Sequence, residues 1–273
     1  MISVITPVYN GEKFIEFCLQ TVIQQQCAEV EHIIVDGGSQ DRTIEIVQRY
    51  AQQYSHIRWK SEKDQGQSDA MNKGIRMAKG AIITFLNVDD YYEPNVLNQV
   101  IEHFKKLPDP SFLVGNCNIW DDSNWLIEVN RPSKLRLYDL VLGVSIHPFP
   151  CNPSAYFYHA SLHDLVGFYD PEEHYVMDLD FILRAVQVAT VQYVDQTWGN
   201  YRRIKGTKTY EDLQKGVTHA RVLKLLRKYR RSLTLIEKIK RLIWQQQQRL
   251  AFMLKQPQHL PLLIKSKLLK TSV

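Results

Sequence analysis

Short apolar runs alternate with amphipathic stretches along the first 110 residues of the chain. Apolar side chains recur at helical spacing in four stretches: Glu12–Gln24, Asp41–Tyr54, Gln67–Lys79 and Pro94–Lys105. Between them lie four short runs that predict strands: Ser3–Thr6, Glu31–Asp36, His56–Lys60 and Ala81–Leu86. Strands separated by helices of about 10–15 residues predict βαβ units, and therefore a mainly parallel sheet flanked by helices.

The second half of the chain is less regular. Two predicted strands, Phe112–Trp120 and Trp125–Val129, are expected to form a hairpin through Asp121–Asn124. A helix over Asp178–Val188 and a strand over Val191–Val194 follow, and from Tyr210 to Leu254 the pattern is helical with little interruption. We therefore predict an α/β domain over residues 1–205, with halves at 1–110 and 111–205, and a C-terminal helical extension over 206–273.

Polar clusters follow three of the predicted strands. They are Thr6–Asn10 (TPVYN), Asp36–Ser39 (DGGS) and Asn87–Asp90 (NVDD). In open parallel sheets, ligands bind beyond the carboxyl ends of the strands. The three clusters therefore predict a ligand site at this edge of the sheet.

Two of these clusters suggest specific chemistry, and each has a plainer alternative. Asp89 and Asp90 repel each other unless a cation or hydrogen-bond donors compensate them, and oxygen ligands in small number suit Mg²⁺ or Mn²⁺. The alternative is a solvated acidic turn before the helix at Pro94. Asp36, beside two glycines, would accept hydrogen bonds from a base or ribose. The alternative there is an ordinary βα turn with Asp41 as the helix cap.

Two further acidic segments precede or open helices. Asp64–Asp69 (DQGQSD) leads into a helix whose N-terminus favours anions, although a capped surface loop would look the same. Asp178 and Asp180 open the next helix, where successive residues turn by about 100°, so their carboxylates face different ways. One can face a cleft while the other caps the helix or pairs with Arg184, and both would also complement the helix dipole.

The net charge of +5 hides an asymmetry. Residues 221–273 contain fourteen Lys or Arg and one acid, Glu237, whereas residues 1–220 carry a net charge of −8. Apolar residues recur at helical spacing within this basic segment, and no apolar run reaches the ~18 residues of a membrane span. This pattern predicts an interfacial helix on an anionic membrane surface over residues 221–254. Packing on the α/β domain or on a second subunit is the alternative, and the Leu and Ile content argues against a nucleic-acid partner.

Cysteine usage and the first residues favour a reducing, cytoplasmic location. Cys18, Cys27, Cys117 and Cys151 form no CxxC pair and have no zinc-site spacing, so we interpret them as reduced thiols. The opening MISVITPVYN is typical of a strand and lacks the basic region of a signal peptide.

Five segments, in order, resemble the GT-A fold glycosyltransferases of family 2: ITPVYNGEKFIEFCLQTVIQQ, IIVDGGSQDRT, EKDQGQSDAMNKGI, AKGAIITFLNVDDYY and YVMDLDFILR. The resemblance covers about residues 1–200, and the joint match is specific where each motif alone is weak. It implies an α/β fold of the GT-A type, with a nucleotide-sugar-binding half at 1–110 and an acceptor half at 111–205.

The resemblance also implies which residues bind the donor. Six would contact the nucleotide: Thr6, Pro7, Tyr9, Asp36, Asp64 and Asp69. The first three would cradle the nucleobase, and Asp36 would bond to its polar edge. A UDP-sugar is the favoured donor.

The catalytic machinery is implied in the same way. Asp89, also a donor contact, and Asp90 take the place of the family's DxD-type motif, with Asp90 as the direct ligand of Mn²⁺ or Mg²⁺. Many relatives have Asp where this chain has Asn87, so metal binding would rest on these two acids. Asp178 matches the acid that deprotonates the acceptor hydroxyl, and His147, in the loop Ser145–Ser154, is a candidate for the acceptor pocket. A packed loop histidine is the alternative for His147.

The resemblance therefore implies an inverting, metal-dependent glycosyltransferase that transfers a single sugar. Its acceptor would be a glycan or lipid-linked hydroxyl in the synthesis of cell-surface polysaccharide or glycolipid. The enzyme would lie peripherally on the inner face of the cytoplasmic membrane. The alternative is a nucleotide-sugar-binding scaffold protein at the membrane without turnover.

Overall fold

Nine strands pair into one sheet within the residues that the computed structural model describes, 1–143 and 146–255. The strands are β1 (Ile2–Val8), β2 (Val30–Asp36), β3 (Ile57–Ser61), β4 (Ile82–Phe85), β5 (Tyr91–Tyr92), β6 (Ser111–Trp120), β7 (Leu126–Asn130), β8 (Tyr156–His159) and β9 (Thr190–Arg202). Their order along the sheet is β3–β2–β1–β4–β8–β6–β9–β5, and β7 pairs with β6 off this path.

Helices connect most of these strands. They are α1 (Ile15–Ile23), α2 (Thr43–Gln53), α3 (Gln67–Met77), α4 (Val96–Phe104), α5 (Leu137–Leu142), α6 (Leu162–Val166), α7 (Met177–Ala185), α8 (Lys208–Gln214), α9 (Val217–Arg230) and α10 (Leu235–Lys255). The first four strands pair in parallel, with α1, α2 and α3 as their crossovers, whereas β8 runs antiparallel between β4 and β6. The predicted α/β sheet flanked by helices is therefore confirmed.

Helices pack on both faces of the sheet because successive side chains of a strand point to opposite faces. Val4 of β1 belongs to one buried cluster with Val22 of α1. The next residue, Ile5, faces α3, where a Cβ added at Gly74 would lie 2.3 Å from its Cγ2 atom. Gly74 thus lets α3 pack close to β1, and this fixes the start of α3 beside the carboxyl ends of the strands.

The predicted elements of the first half are confirmed with shifts of up to three residues at their ends. The second half differs more, because β9 runs on from the predicted Val191–Val194 to Arg202, pairing Thr197–Arg202 with β6. Polar residues interrupt that stretch, so it carries no apolar run to recognise. Sequence reasoning also missed β5, β8, α5 and α6, which are too short to show a period.

The helical C-terminal segment is confirmed as far as the described residues reach, and residues 256–273 of the predicted tail lie outside them. Two breaks divide it. Gly216 has a φ of +67° between α8 and α9, and before α10 the Thr234 hydroxyl and the Glu237 carboxylate form a capping box. The first compact unit of the chain runs to Arg227, beyond the predicted domain end at residue 205, and a second unit begins at Lys228. None of the described helices is long and apolar enough to cross a membrane.

Acid is expected to destabilise the sheet through His32. This β2 residue is fully buried, its Nε2 lies 2.9 Å from the Thr6 hydroxyl, and burial lowers its pKa to about 3. Since an unfolded histidine has a pKa of about 6.5, the unfolded state binds more protons between about pH 6.5 and 3. The free energy of unfolding should therefore fall as pH drops through that window, by up to about 1.4 kcal/mol per pH unit.

Urea unfolding at about pH 7 and pH 5 measures this slope. A His32→Gln variant, which carries no titrating ring, should show a shallower slope. Equal slopes in the two proteins would contradict the assignment.

Candidate active site

A cleft of about 450 Å³ lies beyond the carboxyl ends of β1 and β4. This is the position at which open parallel sheets bind ligands. Its lining comes from the ends of three strands, the start of α3 and the segment after β9: Pro7, Val8, Tyr9, Asp64, Gly66, Gln67, Ala70, Asn87, Val88, Asp89, Tyr201, Thr207 and Thr209. The structure therefore joins two of the three predicted strand-end clusters in one wall.

Four side chains assigned from sequence to the nucleotide sugar or metal line this cleft: Pro7, Tyr9, Asp64 and Asp89. Tyr9 is 62% exposed, so its side chain is accessible to a ligand in the cleft. The other four lie off the wall: Thr6, Asp36, Asp69 and Asp90.

Thr6 and Asp36 support the cleft from inside the sheet. Both are fully buried, and Thr6 is bonded to His32 as described above. The Oδ2 atom of Asp36 accepts hydrogen bonds from two backbone N–H groups of the following turn and from the Ser61 hydroxyl. Neither side chain lines the cleft, and the predicted contacts of Thr6 and Asp36 with the nucleobase stay predictions. Here Asp36 shapes the βα turn.

Asp64 packs on that same turn and explains its glycine. A Cβ added at Gly37 would lie 2.5 Å from the Asp64 Oδ2 atom, so any larger residue would displace this carboxylate from its present position. Asp64 Oδ1 accepts from the backbone N–H of Gly66, which has a φ of +120°. Asp69 lies in the first turn of α3 and pairs with Lys73 at 3.0 Å, so it braces the helix start and does not reach the wall.

Asp89 and Asp90 are adjacent but lie in different environments. Asp89 is half-buried on the cleft wall, whereas Asp90 is buried. Asp90 Oδ2 accepts from the amides of Asn87 at 2.9 Å and Asn152 at 2.7 Å, and its Oδ1 accepts from the backbone N–H of Arg202 at 3.0 Å. At the position that departs from the DxD pattern, the Asn87 amide therefore supplies a donor to Asp90 where an Asp would supply a third carboxylate.

The acid pair fits a divalent cation shared with a diphosphate. Burial raises the pKa of both carboxyl groups, and the charge of Asp89 raises that of Asp90 further. A cation offsets that repulsion. No three His, Cys, Asp or Glu side chains of the described residues gather into a metal site, but Mg²⁺ held through substrate phosphates needs only one or two carboxylates. Asp89 lines the cleft, whereas Asp90 is buried behind it, and the prediction of Asp90 as the direct metal ligand stays a prediction.

Asp178 has the environment of a general base. It lies in the first turn of α7, half-buried, and its Oδ1 accepts a hydrogen bond from the Tyr156 hydroxyl at 3.1 Å. Burial raises the pKa of Asp178 to about 6, against the lowering effect of that hydrogen bond. A carboxylate poised near neutral pH is suited to take up a proton. Asp180 pairs instead with Arg184 at 2.9 Å, so the two acids do face different ways.

Helix α3 connects the cleft to the segment that leads to Asp178. Its first turn lines the cleft, and the Ser68 hydroxyl donates to the carbonyl of Glu173 at 2.7 Å. One turn further, the Asn72 amide donates to the carbonyl of Tyr169 at 2.8 Å and accepts from its N–H at 2.9 Å. The segment that leads into α7 is therefore fastened to the helix that forms one side of the cleft.

His147 is half-buried, and its backbone N–H donates to the carbonyl of Gly143 at 3.2 Å. Residues 144 and 145 lie outside the described part of this loop. The assignment of His147 to an acceptor pocket stays a prediction.

A family model described as Glycosyl transferase family 2 matches residues 3–165, which is more than half of the chain. The chain belongs to this glycosyltransferase family. The match contains the whole cleft apart from Tyr201, Thr207 and Thr209. It ends before α7, so the position of Asp178 rests on the structure.

Named relatives match parts of the glycosyltransferase. A PGL/p-HBAD biosynthesis glycosyltransferase of Mycobacterium bovis is 31% identical over 186 residues, which cover 67% of this chain and 69% of the relative. The uncharacterized glycosyltransferase EpsJ of Bacillus subtilis is 36% identical over 102 residues, 37% of this chain and 30% of EpsJ. An Escherichia coli chondroitin synthase is 31% identical over 106 residues, only 16% of that protein. The chain thus spans less than a third of these last two relatives.

Solved structures confirm the GT-A fold. Residues 1–349 of S. aureus TarS in complex with UDP-GlcNAc superpose with a TM-score of 0.67 at 19% identity, covering 88% of this chain and 69% of that one. The mannosyltransferase PcManGT of Pyrobaculum calidifontis, in complex with GDP-Man and Mn²⁺, gives a TM-score of 0.57 at 15% identity, covering 94% and 81%.

Sequence reasoning missed the contribution of β9 to the glycosyltransferase site. Tyr201 lines the cleft, and the next residue, Arg202, donates from Nε to the backbone carbonyl of Asp89. The Arg202 guanidinium also lies 5.6 Å and 5.5 Å from the ring centroids of Phe14 and Phe17. These contacts hold a positive charge beside the acid pair. No sequence signal marks them, because Arg202 is distant in sequence from Asp89 and is the last residue of a strand whose second half the pattern did not reveal.

Proposed function

We propose that this glycosyltransferase moves one sugar from a nucleotide-sugar donor to a hydroxyl acceptor, with inversion at the anomeric carbon. The single observation that carries the proposal is Asp178, a half-buried carboxylate with a pKa raised to about 6, fastened through α3 to a cleft with an acidic wall. The non-catalytic scaffold alternative offers no reason for a base tuned in this way.

The reaction would be one displacement. Asp178 takes the proton of the acceptor hydroxyl while the hydroxyl oxygen forms a bond to the anomeric carbon. The bond from that carbon to the diphosphate breaks, and the diphosphate leaves with the electron pair. The Tyr156 hydroxyl, which donates to Oδ1 of Asp178, orients the carboxylate and leaves its other oxygen for the acceptor. A single attack from the face opposite the leaving group inverts the anomeric configuration.

The departing diphosphate would lie beside Asp89, on the wall of the cleft. A Mg²⁺ or Mn²⁺ ion, when bound, supplies Lewis-acid neutralisation of the diphosphate charge. Asp89 would hold the ion from the wall. Asp90 would stabilise this part of the cleft by accepting hydrogen bonds from the Asn87 and Asn152 amides and from the backbone N–H of Arg202.

The nucleobase would stack on Tyr9. The exposed ring of Tyr9 and the neighbouring Pro7 form an apolar platform in the cleft, and Asp64 supplies a polar group beside it. We favour a UDP-sugar. The structures of relatives in complex with UDP-GlcNAc and with GDP-Man support a nucleotide-sugar donor in general.

A thermal-shift screen of UDP-, GDP- and dTDP-sugars with Mn²⁺ tests the donor, since a ligand that binds the folded state raises the melting temperature by mass action. One nucleotide should raise it more than the other two. No shift with any nucleotide sugar would contradict the proposal.

Tyr9→Ala is expected to weaken binding of the selected nucleoside diphosphate by about 5- to 150-fold, because stacking of a base on an aromatic ring is worth ~1–3 kcal/mol. Titration calorimetry of wild-type and variant protein measures the change. Tyr175→Ala is the control, because Tyr175 is similarly exposed, at 45%, and does not line the cleft. An equal loss of nucleotide affinity in the two variants would contradict the proposal that the nucleobase stacks on Tyr9.

The acceptor is proposed to be a glycan or lipid-linked hydroxyl, in the synthesis of cell-surface polysaccharide or glycolipid. The names of relatives, a chondroitin synthase and a PGL/p-HBAD biosynthesis enzyme, support this class. The proposed location is the cytoplasmic side of the membrane, with peripheral attachment through residues 221–254.

A further inference from the structure

Helix α10 carries a row of apolar side chains that face solvent. Leu235 is 74% exposed, Ile236 66%, Ile239 48%, Leu242 53% and Ile243 53%. Five large aliphatic residues on one helix at these exposures form a contiguous patch, not the scattered single residues that are normal on a surface.

The row occupies one side of the helix. At about 100° per residue, the five side chains fall within an arc of about 120°. Lys238 and Lys240 lie about 40° beyond the two edges of that arc. Glu237, the acid of the capping box, lies on the opposite side. A lysine at the border of an apolar strip can lay the methylene groups of its side chain on an apolar surface. Its ammonium group then lies in the polar layer above that surface.

We propose that α10 is an in-plane membrane helix whose partner is an anionic lipid surface. Charge selects this occupant over the same helix of a second copy of the chain. Residues 228–255 contain eight Lys or Arg and one Glu, so two copies of the segment would repel each other. An anionic leaflet attracts the same charges, each contributing about 1 kcal/mol near the surface. An apolar face beside basic residues, without the length and hydropathy of a spanning helix, is the pattern of helices that lie in the interface.

Attachment of α10 to an anionic leaflet rests on the proposed function only for the biological purpose of the attachment. A helix held in the interface would keep the enzyme at the surface where a lipid-linked acceptor is found. The binding itself needs neither donor nor acceptor.

Vesicle flotation of the full-length chain tests the surface. The vesicles contain equal parts of phosphatidylglycerol and phosphatidylcholine, or phosphatidylcholine alone, at low salt. Wild-type protein should float with the anionic vesicles and much less with the neutral ones. Lys238→Gln with Lys240→Gln should lower the partition coefficient about 30-fold, from a factor of about five for each charge. Ile239→Gln, Leu242→Gln and Ile243→Gln together should lower it by at least about 100-fold.

The hairpin between β6 and β7 offers a matched control. Leu126 is 47% exposed and Ile127 49%, close to the values of the α10 side chains. Leu126→Gln with Ile127→Gln should float as wild type does. Circular dichroism and donor hydrolysis should be unchanged in all variants, which lie outside the cleft.

Three outcomes would overturn the inference: no flotation of wild-type protein, equal flotation of the triple variant, or a dimer that the triple variant dissociates without any effect of vesicles. Light scattering coupled to gel filtration reports the last. Wild-type protein that floats as expected but turns over no nucleotide sugar would contradict the proposed function and leave this inference standing.

Discussion

Asp178→Asn is expected to lower sugar transfer by at least ~10²-fold, because general-base catalysis typically contributes ~10²–10⁴-fold. The fold should persist, since an amide oxygen can accept the Tyr156 hydrogen bond that Asp178 Oδ1 accepts now. Nucleotide binding should also persist, because Asp178 does not line the cleft. Release of nucleoside diphosphate in the presence of acceptor measures the loss, and thermal unfolding checks the fold.

Asp180→Asn is the matched control for this prediction. It removes the same charge two residues away, where the carboxylate pairs with Arg184. It should cost stability and leave most of the turnover. Near-normal turnover in Asp178→Asn together with loss in Asp180→Asn would show that the base is misassigned by two residues.

The wild-type pH profile tests the base independently. The pKa of Asp178 is raised to about 6, so the carboxylate is charged above that value and protonated below it. Turnover should therefore fall as pH drops through about 6, tenfold per unit well below the pKa. A profile that stays flat down to about pH 4 would contradict the assignment.

Removal of divalent cations is the second change with a large expected effect. Excess EDTA should abolish transfer, and Mn²⁺ or Mg²⁺ should restore it, because neutralisation of the leaving diphosphate is worth several kcal/mol. Asp89→Ala should lower activity by at least ~10²-fold and raise the Mn²⁺ concentration needed for half-maximal rate, since Asp89 is the carboxylate on the cleft wall.

Asp90→Ala is expected to abolish activity by a different route. Its carboxylate accepts from Asn87, Asn152 and the Arg202 backbone, so its loss leaves three donors without an acceptor. Each buried donor left unpaired costs about 1–3 kcal/mol, so this variant should also unfold at a lower temperature. Full activity in excess EDTA would refute the metal site, and an Asp90→Ala variant as stable as wild type would refute the structural role of Asp90.

The first half of the fold is readable from sequence because its elements are long and periodic. Buried parallel strands such as β2 contain a short apolar run, here residues 33–35, and the crossover helices show one apolar face each. The second half of strand β9 cannot be recognised from sequence in this way. It is held in the sheet by pairing with β6, and it contains no apolar run of its own.

Site residues divide in a similar way. The structure brings Pro7, Tyr9, Asp64 and Asp89 together at one cleft, as the sequence predicts, because strand ends and helix starts meet there. It cannot tell which of two adjacent acids faces the cleft, since that depends on where Asn152 and the Arg202 backbone lie. Both come from the second half of the chain.

Asp36 shows the same limit. A carboxylate after a strand is equally suited to a ligand and to its own turn, and here the turn N–H groups and Ser61 occupy it. Only the three-dimensional pairing of β2 with β3 brings Ser61 to this carboxylate.

The central claim, inverting transfer from a nucleotide sugar, is tested most directly by the configuration of the first product. Wild-type protein is incubated with Mn²⁺ and the α-linked nucleotide sugar selected by the thermal-shift screen, with water as the slow acceptor, and proton NMR follows the anomeric signals before mutarotation equilibrates them. A single displacement predicts that the β-anomer of the free sugar appears first, and that Asp178→Asn suppresses it. Initial release of the α-anomer, or release of sugar that does not depend on Asp178, would contradict the account.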